Sequence, residues 1–92
     1  MTTLVLPLKG EYFDAFESGI KNTEYRLYGP RWNEKTCRIG RRVVLSRGYG
    51  TKRRLHGEVS DFWKDTAISA NFRACYPKVK NLYVACIQIA VE

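Results

Sequence analysis

"GIKNTEYR", residues 19–26, decides the fold, because the periodicity of the chain changes inside it. Upstream, "EYFDAFESG" (11–19) puts Tyr12, Phe13 and Phe16 on one helical face and ends on Gly19, where a C′ glycine belongs. From Thr23 onward the pattern has period two. Thr23, Tyr25 and Leu27 point to one side, and Glu24, Arg26 and Tyr28 point to the other. A helix therefore runs into a strand, with Lys21 at the helix exit and Glu24 and Arg26 together on one strand face.

Working outward, "TLVLPLKG" (3–10) reads as a first strand, which Pro7 restricts to an edge or a bend. Gly29 and Pro30 close the strand begun at Thr23, and "RWNEKTCRIG" (31–40) reads as an irregular or short helical connection. "RRVVLSRG" (41–48) is a β-branched apolar strand, and Gly48 and Gly50 around Tyr49 mark the turn after it. "RRLHGEVSDF" (53–62) alternates Leu55, Gly57 and Val59 against Arg54, His56 and Glu58, so it pairs with the preceding strand as a hairpin. "TAISANFRACYP" (66–77) predicts a short helix with Ile68, Phe72 and Cys75 on one face, ended by Pro77. "NLYVACIQIAVE" (81–92) is apolar on both faces and reads as a central strand. The order β-α-β-(α)-β-β-α-β predicts an α+β domain. It is a small mixed sheet of about five strands with two or three short helices, curled toward a barrel so that its edges are removed. Trp32 and Trp63 fall in connecting segments, where one can cap the barrel and the other line a cleft, or both can be core.

The 92 residues make a single domain spanning 1–92, and 45% hydrophobic content is that of a globular chain. "MTTLVLPLKG" has no basic n-region and too short an apolar run for a signal peptide, and no run of 18 apolar residues occurs. A soluble, cytoplasmic protein without membrane contact is the expectation. Three widely spaced cysteines and a single histidine, His56, argue against disulfides and against a zinc site. Cys86 reads as core packing, while Cys37 has only Arg38 beside it to activate a thiolate.

Charge points to a partner. Sixteen Lys and Arg against nine Asp and Glu give a formal +7. The excess is local: residues 38–57 carry Arg38, Arg41, Arg42, Arg47, Lys52, Arg53 and Arg54 and no acid. Such a stripe is the footprint expected for a polyanion, although a merely solvated surface has the same composition. Within it, Ser46, Arg47, Tyr49, Lys52, Arg53 and Arg54 surround a Gly-Tyr-Gly turn, offering a ring for base stacking among cations. No basic recognition helix is visible, so single-stranded or looped RNA fits better than DNA. The plain alternative is a glycine-rich hairpin whose tyrosine packs down.

Gly19-x-Lys21-x-x-Glu24-x-Arg26 resembles the G-x-K-x-x-E-x-R signature of ASCH domains, compact barrels related to PUA domains. The flanks "LPLKGEYFDAF" and "VVLSRGYG" resemble the family as well, so the likeness covers most of the chain. Small free-standing members occur in bacteria and phages. The resemblance implies a PUA-like barrel with a cleft for a nucleotide or an RNA segment, edged by Lys21, Glu24 and Arg26. The residue chemistry is compatible, since Arg26 offers a bidentate fork and Lys21 a point charge. Glu24 and Arg26, two apart on one face, can instead form a structural ion pair.

Two enzymatic precedents within the family bear on Lys21 and Glu24 as catalytic residues. Amidohydrolases acting on N4-acetylcytidine use K-x-x-T, with the lysine as base and the threonine as nucleophile. Here Glu24 stands at that third position and Thr23 is one residue early, which turns it to the opposite strand face. No acid occurs in residues 66–76, with Asp61 and Asp65 the nearest. Ribonuclease activity would call on Lys21, Glu24, Arg26, Ser46 and Tyr49, on His56 if a histidine base takes part, and on a divalent metal; otherwise no cofactor is expected. The leading reading is an RNA- or nucleotide-binding domain, followed by a hydrolase on RNA or a modified nucleoside. A module binding an acidic protein, as a phage or bacterial regulator would, is third.

Overall fold

The computed structural model describes residues 2–66 and 68–92. Strand β1 (Leu4–Leu8) leads into helix α1 (Gly10–Glu17), followed by β2 (Thr23–Leu27), β3 (Arg42–Arg47) and β4 (Arg54–Asp65), then helix α2 (Ala70–Ala74) and β5 (Val84–Val91). The five strands form one sheet in the order β1-β3-β4-β5-β2. The β1–β3 pair is parallel and the other three pairs are antiparallel, so the sheet is mixed. Residues 29–40 form turns rather than a helix.

The sheet curls because its inner face carries the apolar positions of β1, β3, β4 and β5 around one core. Leu6 and Leu8 from β1, Val43 and Leu45 from β3, Val59 from β4, and Ala85, Ile87 and Ile89 from β5 meet there. Phe13 and Phe16 of α1 close over them, joined by Trp32 and Cys37 from the irregular connection. Helix α1 has eight residues. That is too short to be stable in isolation, so the burial of its two phenylalanines, about 1.5–3 kcal/mol each, holds it in place.

Pro7 lies on an edge strand, where its missing N–H breaks no ladder bond. Strand β5 is hydrogen-bonded on both sides and mostly buried, as its two-sided apolar pattern requires. Two expectations need correction. The register shifts between Val59 and Asp61. The extra residue, Ser60, lets Val59 and Phe62 both serve the core and prolongs β4 to Asp65. Trp63 therefore lies in a strand, opposite Cys86, rather than in a connection. The sheet is also a half-barrel that keeps two edges: β1 and β2 are not paired with each other. None of the residues in α2 is buried, so its apolar face lies outside the core. No helix among the described residues is long and apolar enough to cross a membrane.

Candidate functional site

The open seam between β1 and β2 is where the residues of "GIKNTEYR" converge. At the end of α1, the Ser18 amide donates to Asp14 O, Gly19 to Phe16 O and Lys21 to Ala15 O at 3.0, 3.2 and 3.1 Å. Gly19 has φ +83°, which reverses the chain and fixes the Lys21 backbone. On β2, Glu24 and Arg26 lie opposite Ile87 and Ala85, both fully buried, so their side chains share the inner face of the sheet.

Three charged groups meet there. Arg26 donates from Nε to Glu24 Oε2 at 3.0 Å, and its Nη2 lies 2.9 Å from the same oxygen. Lys21 Nζ stands 3.7 Å from Glu24 Oε1. Nη2 of Arg26 also donates to Pro7 O at 2.9 Å, and the guanidinium sits 5.1 Å from the Trp32 ring centre. The Lys21 ammonium is 4.8 Å from the Tyr25 ring and 5.5 Å from both Tyr12 and Phe16. Glu24 is 8% exposed, so a buried carboxylate is held by two cations that carry one net positive charge between them and it.

These residues line a cleft of about 980 Å³. Lys9, Tyr12, Lys21, Glu24, Tyr25 and Arg26 contribute from the α1–β2 side, and Asp65, Ser69, Phe72, Cys75 and Tyr76 from the end of β4 and α2. Ser69 caps α2 by accepting from the Phe72 amide at 3.1 Å, and the Phe72 and Tyr76 rings pack at 5.3 Å. Cations beside half-exposed rings in one concavity can take an anionic group and a flat ring together.

The basic turn lies elsewhere. None of Ser46, Arg47, Tyr49, Lys52, Arg53 or Arg54 lines this cleft. Ser46 is buried, and its hydroxyl donates to Gly48 O at 2.7 Å. Arg47 donates to both carboxylate oxygens of Asp14 at 3.2 and 3.3 Å, and that hydrogen bonding holds the Asp14 carboxyl below its ordinary value. Arg53 donates to both oxygens of Glu17 at 2.7 Å and stacks 5.4 Å from Phe13. Acids of α1 thus neutralise two of the four cations around this turn. Tyr49 is 94% exposed, and Lys52 and Arg54 form no ion pair among the described residues.

The groups an enzyme would use are spread out. Thr23 is buried, lies opposite Gln88, and its hydroxyl donates to Asn22 Oδ1 at 2.8 Å. His56 is exposed on β4. Burial pushes the Cys37 and Cys86 thiols up, and both sit in the buried interior. No three His, Cys, Asp or Glu side chains converge as a metal site among the described residues.

Sequence reasoning missed Lys9, Tyr12, Phe72 and Tyr76. The signal available for the α2 wall was the apolar face of residues 66–77, on which Phe72 and Cys75 lie. Comparison with protein-family models and with curated proteins finds no match.

Proposed function

We propose that this chain is an ASCH-like domain of PUA-like architecture that binds a nucleotide unit, free or within single-stranded RNA, in the seam between β1 and β2. The observation that carries the reading is the juxtaposition of Lys21 and Arg26 with the rings of Tyr12, Tyr25, Phe72 and Tyr76 in one cleft of about 980 Å³. A phosphate suits the net positive corner at Lys9, Lys21 and Arg26, and a base suits the aromatic wall. The G-x-K-x-x-E-x-R resemblance supports it, since its three charged residues are the ones that meet here. Holding fits better than cutting: Glu24 is occupied by two cations, and Thr23 faces away from it.

The test is titration with nucleoside monophosphates and short single-stranded RNA at low and high salt. Binding should weaken as salt rises, and Lys21→Ala should lower affinity about tenfold, the order expected for losing one charge-assisted contact. Absence of binding across the panel at low salt would overturn the reading.

A further inference from the structure

Beside the main cleft lies a smaller hollow of about 440 Å³, and the two share Arg26 and Tyr76. Leu27, Tyr28, Pro30, Arg31 and Trp32 contribute the other side chains of its wall, with no carboxylate among its lining residues. The guanidiniums of Arg26 and Arg31 lie 5.1 and 5.3 Å from the centre of the same Trp32 ring. Trp32 is 8% exposed and belongs to the core, so it is a fixed support against which both arginines are held. Tyr28 and Tyr76 are half-buried and line the hollow.

The distribution of unneutralised charge points the same way. The basic turn after β3 has Arg47 and Arg53 committed to Asp14 and Glu17. By contrast, Arg31 makes no ion pair among the described residues, and neither do Arg73, Lys78 and Lys80 on the acid-free segment that carries Tyr76. An anion contacting these side chains displaces no carboxylate. At Arg47 or Arg53 it would have to displace one.

We propose that the ligand is a single strand of nucleic acid at least two nucleotides long. One nucleotide occupies the larger cleft, the backbone passes Arg26 and Tyr76, and the next phosphate meets Arg31 in the smaller hollow. This rests on the nucleotide-binding reading above and extends it from one unit to a path. The strand is single because two ring-lined hollows joined at one tyrosine take splayed bases, which a stacked duplex does not offer. Two guanidiniums held against one indole can each take a phosphate of one backbone. Arg31 is then a binding residue that decides between a mononucleotide and a strand.

The experiment compares uridine 5′-monophosphate with oligouridylates of two, three and four nucleotides, alongside the corresponding deoxy series. Affinity should rise about tenfold or more from one nucleotide to three, the order contributed by one further stacked base. The slope of log affinity against log salt should steepen by about 0.7 for the added phosphate contact. A gain in either series supports the path, and the two series separate RNA from DNA. Arg31→Gln, an exposed change, should bring the trinucleotide down to the affinity of the monophosphate. Equal affinity for monophosphate and trinucleotide would overturn the path while leaving the cleft reading in place. A length gain that survives Arg31→Gln, or one lost instead in Lys52→Gln/Arg54→Gln, would place the strand over the basic turn and overturn it too. No binding by any member of either series would remove the cleft reading as well.

Discussion

Arg26 on β2 donates from Nη2 to the carbonyl oxygen of Pro7 on β1 at 2.9 Å, joining the two edge strands of a sheet that does not close. One side chain thus substitutes for a ladder between β1 and β2. The same guanidinium neutralises Glu24 and rests on Trp32, so the seam, the site and the core are coupled through a single residue. The structural ion pair and the proposed ligand site, alternatives in the sequence, fall at the same place in the fold.

That coupling predicts a stability cost for breaking the pair. Glu24 and Arg26 side chains are 10% and 24% exposed, so the pair is largely but not wholly desolvated. Arg26→Met should lose about 2 kcal/mol in urea unfolding, below the roughly 3–5 kcal/mol seen for fully buried pairs, because Lys21 still faces Glu24. Adding Glu24→Gln should restore part of the loss, with a coupling of about 1 kcal/mol or more in the double-mutant cycle. Strict additivity would mean that the two groups do not interact in solution.

Two glycines predict different penalties for one methyl group. Gly19 has φ +83° and open space around it, so Gly19→Ala should cost about 1 kcal/mol from backbone strain alone. At Gly57 the added Cβ would run into the carbonyl oxygen of Ala90 on β5, and a backbone atom cannot swing aside. Gly57→Ala should therefore cost more, within or above the roughly 1–3 kcal/mol typical of overpacking. Urea midpoints of the two variants test the order, and a smaller loss at Gly57 would contradict it.

What was legible in the sequence was what local periodicity encodes. The switch of spacing at Thr23 placed Glu24 and Arg26 on one face, Gly19 marked the helix end, and Pro7 marked an edge. The bulge at Ser60 was not legible, because nothing in "EVSDFW" distinguishes a two-for-one pairing from plain alternation. Without it, plain alternation ends the strand before Trp63. The pairing of Arg47 and Arg53 with Asp14 and Glu17 spans more than 30 positions and depends on how α1 lies over β3. A charge count along the chain reads such neutralised arginines as free. Likewise the face of α2 carrying Phe72 and Cys75 has the apolar spacing of a core helix, yet the half-barrel leaves it to line the cleft.

The Tyr28–Glu34 hydrogen bond predicts a stability plateau with two flanks. The phenol donates to Glu34 Oε2 at 2.5 Å. That bond raises the Tyr28 pKa above its ordinary 10.0 and lowers that of Glu34 below its ordinary 4.5. With Glu34 depressed, its contribution is present above the ordinary carboxylate value and is lost as pH falls through the folded one. With Tyr28 raised, the contribution is complete below the ordinary phenol value and is lost as pH rises through the folded one. Phenolate absorbance should show one tyrosine ionising late, moved back toward the others in Glu34→Gln. An unchanged titration in that variant would show that the bond does not persist in solution.

The cysteines provide a probe of the cleft itself. Cys75 is exposed and lines the cleft, its Sγ donating to Asn71 O at 3.4 Å, whereas Cys37 and Cys86 are buried. Burial also raises the pKa of those two thiols, which lowers their thiolate fraction further. A disulfide reagent should therefore modify one thiol per chain rapidly and the other two only on unfolding, and Cys75→Ser should remove the fast phase. A second fast thiol in the folded protein would contradict the packing around Cys37 or Cys86. Because Cys75 shares its wall with Phe72 and Tyr76, a bound nucleotide should slow the fast reaction by about the fraction of sites occupied. Binding measured independently without any such protection would place the ligand away from α2.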